Sequence, residues 1–112
     1  MPFLHELAIT QSVVDAVNER VAGHRVVSVR VEVGALSGVV PDAMRFCFEI
    51  ASGQTPLEGA RLDIDERSGE GHCRDCGLDF FLGDLVLLCP CGSADVEVTA
   101  GRQLVIKSVE VA

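Results

Sequence analysis

Residues 73–92, CRDCGLDFFLGDLVLLCPCG, gather four of the chain's five cysteines into two tight clusters, Cys73-Arg74-Asp75-Cys76-Gly77 and Cys89-Pro90-Cys91-Gly92. The stretch between them is long enough for one β-hairpin. Two turns that each present thiolates, each followed by a glycine that lets the backbone fold around a metal, build a closed tetrahedral S₄ site of the zinc-ribbon kind. The second pair is Cys-x-Cys, one residue shorter than the first, and both of its thiolates still reach one metal. The adjacent His72 offers an alternative, a mixed S₃N set. Unrelated buried thiols are a poor account of clustered pairs with trailing glycines.

Outward from this module the pattern is that of a small mixed domain. From His5 to about Ala22, Leu7, Val14, Val17 and Val21 keep one helical face, and Gly23 ends the helix. Residues 25–33 switch to period two, which places Val27, Val29, Val31 and Val33 on one face of a half-buried strand. Pro41 fits the first turn of a second helix, whose buried stripe is Met44, Phe48 and Ala51. Residues 60–67 alternate again, with Leu62 and Ile64 inward. Two further strands are predicted over residues 95–99 and 103–111, the last of them returning to the first sheet. The fold class is therefore α+β: two helices cover one face of a three-stranded sheet, and a zinc-ribbon module is inserted before the final strand. Residues 1–69 with 101–112 form the α+β domain and residues 70–100 the ribbon, with Ser68-Gly69-Glu70-Gly71 and Ala100-Gly101 as hinges.

Composition narrows the function. A chain of 112 residues holds one core plus a small appendage, which a metal would stabilise. The formal charge of -8 and the absence of Trp and Tyr argue against a phosphate-tracking or base-stacking surface, so no nucleic-acid partner is expected. No secretory leader and no bilayer-spanning segment is read, so the expected location is cytoplasmic. In a reducing compartment clustered cysteines favour metal over disulfide. Cys47 lies within the second helix and reads as a small buried hydrophobe. Asp63, Asp65 and Glu66 alternate with apolar residues as a solvated strand face does, and His24 reads as an exposed residue at a helix end. His5 and Glu6 are open to two accounts. An imidazole near a chain terminus combines with backbone nitrogens in the square-planar geometry that nickel accepts, whereas a glutamate in a first helical turn is favoured by the helix dipole alone.

Several ordered segments resemble the HypA family of nickel metallochaperones for [NiFe]-hydrogenase maturation, over nearly the whole chain. They are Leu4-His5-Glu6-Leu7, residues 33–39 (VGALSGV), residues 41–46 (PDAMRF), residues 55–62 (TPLEGARL), the two cysteine clusters and the closing residues 104–111 (LVIKSVEV). The resemblance implies a non-enzymatic carrier. His5 would be the side-chain nickel ligand, with Glu6 contributing its backbone amide and carboxylate; Cys73, Cys76, Cys89 and Cys91 would hold structural zinc. It further implies delivery of transported nickel to the hydrogenase large subunit together with a nickel-handling GTPase, and, in some members, to urease maturation proteins. A monomer or weak homodimer is expected. Family members begin Met-His-Glu, so an alternative initiation codon at Leu4 is expected to set the α-amino group beside His5. The rival classes are a zinc-ribbon nucleic-acid or transcription-associated module and a redox or rubredoxin-like iron protein. The acidic balance counts against the first. The second calls for a Cys-x-x-Cys at a helix start after a strand, or for iron.

Overall fold

The computed structural model describes residues 2–83 and 86–112, with side chains from residue 5 onward. Helix α1 (Pro2–Val21) leads to strand β1 (Val26–Gly34), helix α2 (Pro41–Ser52) and strand β2 (Arg61–Arg67). Strands β3 (Gly69–Cys73), β4 (Asp79–Leu82) and β5 (Val96–Ala100) follow, and β6 (Leu104–Val111) closes the chain. Strand β1 is the centre of a sheet ordered β2-β1-β6; it runs parallel to β2, with α2 in the crossover, and antiparallel to β6. Its Val26, Val29, Val31 and Val33 are correspondingly buried, and they meet Val13, Val14 and Val17 of α1 and Met44 and Phe48 of α2 in one core. Cys47 is buried on α2, as its helical position predicts. Among the described residues, no helix is long and apolar enough to cross a membrane.

The inward face of β1 departs from strict alternation in one place. A register shift against β6 between Val26 and Ser28 turns Val27 outward, 42% exposed, and brings Val26 into the core in its stead. Ser28 is buried on the other side, where its hydroxyl donates to Glu110. Helix α1 also begins earlier than the apolar pattern indicates, at Pro2. Glu6 consequently lies beyond the first turn, and the dipole of its own helix does not account for it.

A second sheet, ordered β4-β3-β5 and wholly antiparallel, carries the cysteines. Among the described residues between the two clusters, only β4 is a strand, and it pairs with β3 and not with a second strand of that stretch. Strand β4 folds back on β3 across the first cysteine turn, and β5, beyond the second turn, pairs with the other edge of β3.

The connection between the sheets is tight. Only Ser68 separates β2 from β3, and the loop after β1 is stitched to both connecting strands. The Gly34 N–H donates to the Gln103 carbonyl at 2.7 Å, Ala35 to Arg67 at 2.8 Å and Leu36 to Gly101 at 2.7 Å. The Leu36 side chain, 6% exposed, fills a socket beside Gly69 and Gly101, where a β-carbon on Gly69 would lie 2.7 Å from Leu36 Cδ1. Gly69 and Gly101, expected to act as hinges, are sites of close approach instead.

Candidate metal centres

The two cysteine turns are variants of one design. In the first, the Gly77 N–H reaches the Cys73 carbonyl at 2.8 Å and the Cys76 N–H points at Cys73 Sγ at 3.4 Å. In the second, one residue tighter, the Gly92 N–H reaches the Cys89 carbonyl at 2.8 Å and the Cys91 N–H points at Cys89 Sγ at 3.4 Å. Gly77 (φ 78°) and Gly92 (φ 96°) both take the left-handed conformation that closes such a turn, which explains the trailing glycine. The shortened spacing is thus absorbed by a smaller ring of backbone hydrogen bonding. Side chains tie the turns to each other and to the residue that leads into β5: Ser93 donates to Asp75, and Arg74 pairs with Asp95 at 2.8 Å. Neither contact is signalled by the cysteine spacing.

The sulfurs converge. Cys73 and Cys91 lie 3.8 Å apart, Cys76 and Cys89 3.5 Å apart, and all four sulfurs fall within 4.8 Å of one another. A tetrahedron with metal–sulfur bonds of about 2.3 Å has edges of about 3.8 Å, so the donor set fits a single tetrahedral ion with little adjustment. Cys73 and Cys89 are buried and Cys76 and Cys91 exposed. His72 stands apart from the sulfur cluster, its Nδ1 lying 2.7 Å from Asp79 Oδ1.

The thiols share charge unevenly. The Cys76 N–H outweighs desolvation at Cys73 and, with help from the Asp75 N–H and neighbouring thiols, lowers its pKa to about 6. At Cys89 the Cys91 N–H favours the thiolate, but desolvation and the other three sulfurs push the pKa up to about 12. Cys76 is also raised: the Leu78 N–H and Cys89 favour its thiolate, while desolvation, Cys73 and Cys91 prevail. Metal ligation requires thiolates, so at pH 7 loading a divalent ion is expected to expel the protons of Cys76 and Cys89. Affinity then falls as pH drops, more steeply once Cys73 protonates below about 6. Titrations in buffers of different ionisation enthalpy count the protons; release of fewer than two at pH 7 contradicts this charge distribution.

The second candidate lies at the start of α1. His5 is exposed, and its Nδ1 lies 3.7 Å from Glu6 Oε1. Glu6 is only 1% exposed, and its Oε1 accepts the Val40 N–H at 3.2 Å, just before α2 begins. It therefore serves the N-terminus of α2, whose dipole a carboxylate complements. Oε2 has no hydrogen-bond partner among the described residues, so one buried acceptor remains unused beside the imidazole. The α-amino group of Met1 and the side chain of Leu4, on which the expectation of an alternative start turns, lie outside the described residues.

Comparison with known proteins adds a common ancestry to this geometry. The family model for "Hydrogenase/urease nickel incorporation, metallochaperone, hypA" matches residues 4–111. Hydrogenase maturation factor HypA of Geotalea uraniireducens is 47% identical over 109 residues, covering 96% of this chain and 99% of the relative. That of Nostoc punctiforme is 44% identical over 108 residues, with 96% of each chain covered. The solution structure of the Ni metallochaperone HypA from Helicobacter pylori superposes with a TM-score of 0.65 at 26% identity, over 95% of this chain and 96% of that one. A second solution structure of a HypA protein, 24% identical with a TM-score of 0.67, shares the fold.

Proposed function

Since the chain belongs to the HypA family of nickel-incorporation metallochaperones, we propose that it captures Ni(II) at His5 and Glu6 and passes it on for [NiFe]-hydrogenase maturation. In this reading Cys73, Cys76, Cys89 and Cys91 hold a structural Zn(II). The observation that carries it is the contrast between the two centres: four convergent sulfurs locked in paired turns, against an exposed imidazole beside a carboxylate with an unused oxygen. A closed S₄ site suits a retained ion. An open site with an imidazole donor suits an ion that must leave. Transfer proceeds by ligand exchange and requires no bond-making catalysis, so the protein is a carrier and not an enzyme. The recipients follow from the family: a nickel-handling maturation GTPase, the hydrogenase large subunit and, where urease is present, its maturation proteins. Free thiolates of this kind belong in a reducing compartment such as the cytoplasm. Residues 1–69 with 101–112 form the nickel-binding unit and residues 70–100 the zinc-binding one.

Nickel titration of zinc-loaded protein tests the reading. His5→Ala is expected to weaken nickel binding by at least about 100-fold, the upper end of what loss of a second-shell partner alone costs. Zinc content should be unchanged. In the parent protein nickel affinity should fall as the solution turns acidic, because protons compete for a neutral imidazole. An unaltered nickel affinity in His5→Ala removes the nickel site from α1.

A further inference from the structure

Helix α1 and strand β6 leave an open groove along the outer edge of the first sheet. Two cavities lie in it. One of about 470 Å³ is bordered by Val17, Arg20, Val21 and, from β6, Lys107 and Val109. The other, of about 260 Å³, is bordered by Ile9, Val13 and Leu104, and Ile106 lines both. The floor is apolar. The only charges on the lining are Arg20 and Lys107, and neither cavity is lined by a carboxylate, although the chain has 17 acidic residues against 9 basic ones. Arg20 and Lys107, like Arg25 and Arg102 elsewhere, have no ion-pair partner among the described residues, whereas Arg30, Arg45, Arg61, Arg67 and Arg74 each hold a carboxylate. Arg20 and Lys107 are the two that lie together on one apolar groove.

We propose that this groove docks an acidic amphipathic helix of a partner protein, with apolar side chains in the two cavities and carboxylates against Arg20 and Lys107. The net charge of -8 repels an acidic segment from most of the surface, so two unpaired cations beside an apolar bed mark where such a segment approaches. Addition of a strand to β6 is the competing mode, and the edge opposes it. The register shift against β1 between Arg30 and Val31 makes Lys107 an extra, bulged residue in β6, and a bulge together with an edge lysine blocks a continuous ladder. From Ile9 to Val21 the α1 side of the groove runs for about 18 Å, enough for about three turns of a docked helix reading its anchors at i, i+3, i+4 and i+7.

The groove shares no residue with either metal centre, so the proposal stands or falls apart from the nickel reading. The probe is a side-chain-stapled helical peptide of about 15 residues, long enough to hold a helix, with Leu at the anchor spacing and Glu on its flanks. Titrated into zinc-loaded ¹⁵N-labelled protein, it is expected to shift the amides of residues 13–21 and 104–109. Affinity should fall about tenfold or more in the double variant Arg20→Glu, Lys107→Glu, and by less in Arg20→Gln, Lys107→Gln, with unchanged spectra elsewhere showing that both are folded. The same peptide with Lys in place of Glu should not bind. Absent shifts, shifts confined to other surfaces, equal binding of the Lys peptide or full affinity of the double charge reversal would each overturn the proposal. Concentration-dependent shifts in the groove without peptide would also overturn it, by making a second copy of the chain the occupant.

Discussion

If Cys73, Cys76, Cys89 and Cys91 hold the zinc ion proposed above, its removal is expected to unfold the ribbon and leave the helices and the β2-β1-β6 sheet intact. The ribbon has only a small core of its own: Cys73, Leu82, Cys89 and Val96 are buried, with Phe80 and Leu87 partly buried against the cysteines and Val96. Burying a large apolar side chain contributes about 1.5–3 kcal/mol, while ordering each residue costs about 1–2 kcal/mol, so a segment spanning residues 69–100 cannot offset its own entropy by packing. A structural zinc ion contributes on the order of 10–16 kcal/mol of apparent binding energy, which covers that deficit. The main core draws on α1, β1 and α2, with β2 and β6 packed against it, and includes no ribbon residue. Hydrogen exchange with a strong chelator should therefore show lost protection over residues 70–95 and retained protection at Val29, Val31 and Phe48. Cys89→Ser should reproduce that pattern without chelator, because removing a buried ligand opens the tetrad. Persistent protection of the ribbon in protein shown to be metal-free would mean that packing, not the metal, folds it.

What the sequence makes legible depends on how local the physics is. The cysteine turns and their glycines are short-range chemistry, and the structure brings the four sulfurs together as the spacing indicates, even at the shortened Cys89-x-Cys91. The helices and strands of the first sheet follow from periodicity, but their buried residues agree only in part. Helix α1 buries Glu6, Thr10 and Val13 beside the expected Val14 and Val17 and leaves Leu7 half-buried, and a bulge intervenes at Val27, which no one-strand pattern can report because the shift is defined against β6. The pairing of β3 with both β4 and β5 is equally hidden, since it is a choice among partners distant in sequence. Glu6 shows the same limit at the candidate nickel site. Its neighbour in sequence is His5, but its carboxylate is claimed by the Val40 N–H, 34 residues on. A helix that presents His5 to solvent thereby buries Glu6, and any cation drawn to His5 competes with the start of α2 for that carboxylate.

Leu36 and its glycines are the other feature invisible in one dimension, and they carry the second large effect. Gly34→Ala is expected to destabilise the protein by about 3–5 kcal/mol, the sum of about 1–3 kcal/mol for a steric overlap and about 1 kcal/mol for each strained hydrogen bond. A β-carbon at Gly34 would fall on the Gly101 carbonyl and within 2.7 Å of the Arg102 nitrogen, all backbone atoms that no rotamer change can clear. Relief requires parting the loop from residues 101–103. That breaks the Gly34–Gln103 and Leu36–Gly101 hydrogen bonds, both 2.7 Å, and draws Leu36 from its socket. Since β5 and β6 meet there, the ribbon also loses its fixed seat on the α+β body. The melting midpoint should fall by more than about 10 °C. Gly53→Ala is the control: with φ at −56° and its nearest neighbour, the Ile50 carbonyl, at 3.4 Å, it accepts a methyl group and should shift stability by no more than about 1 kcal/mol, in the stabilising direction. If the two variants melt together, the glycines at the joint are flexible linkers after all, and the ribbon swivels on the body instead of being seated by Leu36.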